Sequence, residues 1–245
     1  MRFAAIADIH GNIDALEAVL ADIAALGIAE VVNLGDHVSG PLEPLRTAEL
    51  LMARGFPSIQ GDQDRKLVEK RAALRRPFTW LGDAYLECLA AMPATLLYRD
   101  DVLLCHGSPR SDEAYWLDHV TDEGMIMATQ IEDIERDAAG IAASLILCGH
   151  THLPRVVRLR DGRLVVNAGS VGLPGYRGCA PVAHVVESGT PDACYAILER
   201  TAGRWMAGIR YVPYDATRMA ELAARAGCCD WASALATGWV SRMAQ

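Results

Sequence analysis

Phe3-Ala4-Ala5-Ile6-Ala7-Asp8-Ile9-His10-Gly11-Asn12 is an apolar run that stops abruptly at an acid and an imidazole. Beyond it Ile13, Leu16, Val19, Leu20 and Ile23 recur at the spacing of a helix that buries one face. The segment reads strand, loop, helix, with its chemistry confined to the loop. The pattern returns as Val31-Val32-Asn33-Leu34 running into Gly35-Asp36, with a helix expected over Pro44–Arg54. It returns again as Ser58-Ile59-Gln60 running into Gly61-Asp62-Gln63-Asp64. Consecutive units of this kind imply parallel strands joined by right-handed crossovers.

Further along, residues 65–93 are charged and read as an inserted helical flap, with Lys66, Glu69, Lys70, Arg71, Arg75 and Arg76 ahead of Pro77. Strands are expected over Thr95–Tyr98 and Val102–Cys105, the second opening into His106-Gly107-Ser108-Pro109. An irregular, partly helical insertion at 110–140 precedes a strand at 144–148, which ends in Gly149-His150-Thr151-His152. The period then changes to hairpins. Residues 156–160 and 163–167 flank an Asp161-Gly162 two-residue turn, 184–187 pairs with 194–198, and 205–212 follows. A helix at 216–226 and a tail with Trp231 and Trp239 complete one domain, residues 1–245.

The 245 residues are 51% hydrophobic and 22% charged, enough for a core that needs neither disulfides nor a structural metal. Any metal is then functional. The 31 acidic against 23 basic residues, a formal charge of -8, argue against a duplex nucleic-acid partner, which requires a cationic surface. A small anionic substrate fits if local cations outweigh that balance. The cysteines at 88, 105, 148, 179, 194, 228 and 229 form no Cys-x-x-Cys pair and read as reduced thiols. Asp8 interrupts the stretch in which a secretion leader would be apolar, and no run reaches membrane-spanning length. The expectation is a cytoplasmic protein with no membrane partner, with assembly as a homo-oligomer left open.

Five expected strand ends carry groups that bind divalent cations: Asp8 and His10, Asp36, Asp62, His106, then His150 and His152. Sites in open α/β sheets form at the carboxyl ends of strands. Four of the seven histidines are among these groups, three of them beside glycine. Such a set suits two cations about 3.5 to 4 Å apart that polarise a phosphoryl oxygen and acidify a water. A shared carboxylate would offset their repulsion, and imidazoles would fill the remaining positions.

In these blocks, Asp8-Ile9-His10-Gly11-Asn12, Gly35-Asp36 with Gly40-Pro41, Gly61-Asp62-Gln63-Asp64, His106-Gly107 and Gly149-His150-Thr151-His152, the chain resembles the calcineurin-like metallophosphoesterases. Asn167-Ala168-Gly169-Ser170-Val171-Gly172 adds a likeness to the small bacterial phosphodiesterase and diadenosine-tetraphosphatase-like branch, over residues 1–187. The resemblance implies a four-layer α/β/β/α sandwich of two mixed sheets and two transition-metal ions, manganese, iron or zinc, divalent or mixed-valence. Asp8, His10, Asp36 and His152 would hold the first, with Asp36 bridging; Asp62, His106 and His150 would hold the second. A metal-bridging hydroxide would attack phosphorus in line, with Asp36, His106 and Gln63 in catalytic positions.

The third block departs from the family, which has Asn and then His or Cys where this chain has Asp62 and Gln63. A third carboxylate lowers the charge of a two-cation site by one unit, favouring phosphodiesters over dianionic monoesters. Gln63 removes a proton donor, favouring substrates with good leaving groups. Asn12, Arg110 and Arg177 are candidates for substrate binding, and guanidinium forks suit phosphate. Tyr115, Trp116, Trp80 and Tyr176 are candidates for stacking on a nucleobase, and the run from Arg65 to Arg76 for a lid. His37 could stand behind Asp36, whereas His119 and His184 read as surface or strand residues. The expected substrate is a small phosphodiester, nucleotide or phosphoanhydride. The rival is a metal-binding regulatory or interaction protein whose hydrolysis is impaired by Asp62 and Gln63; a protein phosphatase fits less well.

Overall fold

Asn12 turns the first apolar run into a helix, because its side-chain oxygen accepts from the Ala15 N–H at 3.0 Å. The computed structural model describes residues 1–70 and 81–241. Its chain runs β1 (Arg2–Ile6), α1 (Ile13–Ala25), β2 (Val31–Asn33), α2 (Pro44–Arg54), α3 (Asp62–Glu69), α4 (Asp83–Ala91), β3 (Thr95–Tyr98) and β4 (Val102–Cys105). There follow β5 (Asp118–Val120), β6 (Ile126–Ala128), α5 (Ile131–Asp137), β7 (Leu145–Cys148), β8 (Arg155–Arg158) and β9 (Leu164–Asn167). The last elements are β10 (Gly175–Gly178), β11 (His184–Glu187), β12 (Ala193–Thr201), β13 (Arg204–Val212), α6 (Thr217–Arg225) and α7 (Cys229–Thr237).

One sheet has the order β13-β12-β1-β2, parallel between β1 and β2 and antiparallel elsewhere. The other has the order β3-β4-β7-β9-β8, parallel through its three central strands and antiparallel at both edges. Alternation along the strands explains how they stack. Ala4 and Ile6 of β1 pack under Leu16 and Val19 of α1 and Leu235 of α7. Phe3 and Ala5 face the opposite way, onto Val102, Leu104, Leu145 and Leu147 of the second sheet. The far side of that sheet, Cys105, Ile146 and Val165, is covered by Trp116, Ile134 and Ala138. The central strands are apolar along most of their length because both their faces are buried. This is the expected four-layer α/β/β/α arrangement of two mixed sheets.

Several local expectations differ. Ser58-Ile59-Gln60 makes only a single bridge, Asn33 to Ser58, because the chain already turns at Gly61 to start α3 with Asp62. The 156–167 hairpin closes through residues 160–162, with Leu159 N–H donating to the Arg163 carbonyl and Gly162 left-handed at φ 94°. The two-residue turn is therefore a three-residue one. β11 pairs with β10, whereas β12 lies between β1 and β13; partners of similar short strands are set by distant packing. The 110–140 stretch contains the ribbon β5–β6 as well as α5, and the tail is the helix α7. In the flap region, Leu67 of α3 and Leu86 and Leu89 of α4 cluster with Val38 and Ala48. Arg71, Arg75, Arg76 and Trp80 lie outside the described residues. All seven cysteines are free, and no described helix is long and apolar enough to cross a membrane.

Candidate metal centre

The loops leaving β1, β2, β4 and β7 converge at one end of the paired sheets, where they meet the first turn of α3. Five of the seven expected ligands hold the left-handed backbone conformation: Asp8 (φ 54°), His10 (50°), Asp36 (57°), His150 (67°) and His152 (60°). Side chains occupy this region at a cost of about 1 kcal/mol or more each, so the surrounding structure must impose it. Here it does. The Asp8 carbonyl accepts from Ser170 Oγ at 2.8 Å and Gly172 N–H at 3.0 Å, and the Asp36 carbonyl accepts from the N–H groups of Ile9 and His10 at 2.9 and 3.0 Å. Gly61 is required by contact: a Cβ there would come within 2.2 Å of Asp36 Oδ1.

The side chains form two sets. Asp8, His10 and His152 make one, with His152 Nε2 3.5 Å from Asp8 Oδ1 and 3.1 Å from His10 Nε2. Asp62, His106 and His150 make the other, with Asp62 Oδ1 3.3 Å from His106 Nε2 and 3.2 Å from His150 Nδ1. Asp36 lies between them, Oδ2 3.7 Å from His10 Nε2 and Oδ1 3.6 Å from His106 Nε2. Donors bound to one ion at about 2.0–2.1 Å stand roughly 3.0–3.5 Å apart, close to these separations.

Hydrogen bonds behind each imidazole fix which nitrogen faces inward. Carbonyls only accept, so Nδ1 of His106 donates to Leu34 and Nδ1 of His152 to Leu173, both at 2.7 Å. His10 Nδ1 bonds Ser39 Oγ at 2.7 Å. His150 is reversed: Nε2 donates to the Glu113 carbonyl at 3.1 Å, and Nδ1 faces Asp62. This support orients a ligand and raises its basicity.

The inward atoms lack partners. Asp8 Oδ1, Asp62 Oδ1 and His106 Nε2 are buried without a hydrogen bond, and the Nε2 atoms of His10 and His152 point at each other. Orphaned buried acceptors of this kind are costly unless a cation satisfies them, so the residues present fit a metal centre. Burial raises the Asp8 carboxyl, but His152, His106 and His10 outweigh it and hold it at about 2. Burial and the neighbouring His152 lower His10 to about 3, leaving a neutral imidazole ready to ligate. Burial pushes Asp36 well up, as do Asp62, Asp64 and Asp8. His106 is raised well above an ordinary imidazole, because Asp36, Asp62 and Asp8 outweigh its burial.

Asp62 has a compensating cation. Its Oδ2 accepts from Lys66 Nζ, one helical turn along α3, and from Gln63 Nε2, each at 2.7 Å. The unit of positive charge that a third carboxylate removes is thus partly returned at its outer oxygen. Behind Asp36, Asp64 accepts from the N–H groups of Asp36, His37 and Gly61 and from His37 Nδ1 at 2.7 Å. His37 is therefore buried beneath the centre.

A cavity of about 360 Å³ opens over the cluster, lined by His10, Asp36, Asp62, His150 and His152 together with Gln63, Tyr115, Tyr176, Arg177 and Trp231. Two expected substrate contacts are corrected. Asn12 is fully buried, and its amide donates to the Gly172 carbonyl and to Tyr214 while its oxygen caps α1, which leaves nothing directed at the cavity. Arg110 is exposed, donates to the Ala139 carbonyl and does not line the cavity. Arg177 does reach it, held by Asp230 and the Ser241 carbonyl. Trp116 is core, His119 is exposed, and His184 is buried against Tyr115. Of the basic run, Arg65 pairs with Glu69, Asp112 and Glu113, and Lys66 with Asp62 and Glu113. Trp231 and Ser39 carry no motif, and the sequence reading missed both.

Residues 1–188 match the family model of the calcineurin-like phosphoesterase superfamily domain. An uncharacterized protein of Methanocaldococcus jannaschii is 25% identical over 198 residues, which cover 70% of this chain and 76% of that one. Among solved structures, a metallophosphoesterase from Sphaerobacter thermophilus matches with TM-score 0.73 and 25% identity over 97% of this chain and 100% of that one. A hypothetical protein from Pyrococcus horikoshii OT3 shares the fold at TM-score 0.72 and 20% identity, over 98% of this chain and 99% of the other.

Proposed function

Because the chain belongs to the calcineurin-like phosphoesterase superfamily, we propose that it is a metal-dependent enzyme that hydrolyses a small phosphodiester, nucleotide or phosphoanhydride. One observation carries this reading: Asp36 lies between two ligand sets, and Asp8 Oδ1, Asp62 Oδ1 and His106 Nε2 are buried with no hydrogen bond. Asp8, His10, Asp36 and His152 would hold one ion, and Asp36, Asp62, His106 and His150 the other. Manganese, iron and zinc all suit this mixed oxygen and nitrogen donor set. When bound, two such ions polarise phosphoryl oxygens and make hydroxide available near neutral pH for attack on phosphorus.

The protein's own part is positioning. Leu34, Leu173, Ser39 and Glu113 orient the imidazoles, and Lys66 offsets the charge of Asp62. Helix α3 contributes Asp62 and Gln63 to the cavity wall, and α4 packs against α3. Gln63 lines the cavity, but its amide is committed to Asp62, so that side chain supplies no proton to the departing oxygen. Rates should then fall steeply as leaving-group pKa rises, and nitrophenyl and nucleotide leaving groups should be favoured over alkyl ones. A flat dependence would remove that part of the reading. The main test is hydrolysis of bis(p-nitrophenyl) phosphate with added manganese, compared with Asp36→Asn. Metal-stimulated turnover that the substitution abolishes supports the enzyme. Two bound ions per chain with no turnover on any ester would favour a metal-binding regulatory module.

A further inference from the structure

The cavity lining is of two chemical kinds: acids and imidazoles, and the largely apolar surfaces of Trp231, Tyr115, Tyr176 and Leu173. The two meet edge to face: the Trp231 indole lies 5.7 Å from the His10 ring at 83°, and Tyr176 lies 4.7 Å from the His152 ring at 62°. An aromatic wall therefore begins where the imidazoles end.

Trp231 belongs to α7, beyond the residues that match the family model. It is half-buried and closely seated. A Cβ at Gly40 would come within 2.3 Å of its ring, and Gly40 itself is left-handed at φ 108°. The neighbouring Asp230 accepts from Arg177 Nε at 2.9 Å, which fixes α7 to the rim on which Arg177 sits. Ser39, Gln63 and Arg177 supply further polar groups to the lining. The space suits one small-molecule group, at the low end of the roughly 300–1,000 Å³ usual for such sites.

We infer that Trp231 determines substrate specificity by stacking on the base of a nucleotide ester whose phosphate lies over the acids and imidazoles. This rests on the phosphoesterase reading and narrows it to the nucleotide class. Stacking of a base on an aromatic side chain is sequence-tolerant, because every base has a flat π-face.

The test compares two ligands with the same phosphate, AMP and ribose 5-phosphate, by equilibrium dialysis against the full chain loaded with manganese. AMP should bind roughly tenfold more tightly. Trp231→Ala should bring the two to near parity with bound manganese unchanged, and Trp231→Phe should keep most of the preference. Trp231→Leu, which fills space without a ring, must also lose it and serves if the alanine form folds poorly. No preference in the unaltered protein, or the same preference in the Ala and Leu variants, overturns the inference. Failure of the parent reading is separate: it would show as absent manganese-dependent hydrolysis of bis(p-nitrophenyl) phosphate, an outcome on which the dialysis does not depend.

Discussion

The two ligand sets of the candidate metal centre are held by different kinds of bond. Around Asp8, His10 and His152 the supports are buried and uncharged: the Ser170 hydroxyl and Gly172 N–H on the Asp8 carbonyl, the Leu173 carbonyl on His152, and the Ser39 hydroxyl on His10. Around Asp62 and His150 they are long charged side chains at the surface. Lys66 and Arg65, with about a third of each side chain exposed (35% and 33%), tie α3 to Asp112 and Glu113, and the Glu113 carbonyl orients His150. His106, buried on Leu34, is the rigid member of the second half. Geometry stored in buried, uncharged hydrogen bonds resists salt, whereas exposed ion pairs are screened and individually weak.

The strongest way to break this comparison is to remove one ligand from each half. His10→Ala and His106→Ala should each lower metal-dependent turnover by about a thousandfold, since a Lewis-acid ion contributes several kcal/mol. Metal analysis should show one ion lost from each variant. Full metal content and rate in either would mean that half is not a metal site. Next in size is Ser39→Ala, which leaves His10 without its outer partner and should weaken one class of cation binding about 10- to 100-fold. An unchanged manganese titration would count Ser39 as packing only.

Proton release should separate the halves more finely. His10 is already neutral at pH 7, at about 3, so its half takes up an ion without expelling its proton. The carboxylates of Asp36, Asp62 and Asp8 raise His106 and favour its protonated form, so a cation competes with a proton there. A group that must lose its proton binds metal better as pH rises, so cation affinity should climb with pH more steeply in the half that His106 holds than in the half that His10 holds. Calorimetry in buffers of differing ionisation heat would detect the released proton. Identical buffer dependence for both ions would erase the distinction. Smallest is Lys66→Met, expected to weaken inhibition by inorganic phosphate about two- to fivefold and by monoanionic dimethyl phosphate less. Equal losses would reduce Lys66 to a brace for α3.

The candidate centre was legible in the sequence wherever two signals coincide: an apolar strand ends, and a metal-binding side chain stands in the loop. Asp8, Asp36, His106 and His150 are legible for that reason. Lys66 lies four residues after Asp62 and was legible in principle, but Ser58-Ile59-Gln60 resembles a strand and hid the helix start. Asn12 and Arg110 show the opposite error. One is consumed by capping a helix, the other points to an unrelated carbonyl, and neither commitment is written in residue type. Trp231 was illegible because an aromatic residue in a short C-terminal helix reads as core until the fold brings that helix against Gly40.

The left-handed backbone at Asp8, His10, Asp36, His150 and His152 also limits how the chain can vary. Asn, Asp and His are the side chains that tolerate this conformation best, and they are also oxygen and nitrogen donors. Exchanges among the three could retune which ion is preferred without redrawing a single loop, while a branched aliphatic residue would forfeit donor and loop shape together. Mutational drift toward a new metal therefore has a smooth path here, and drift toward losing metal altogether meets a step.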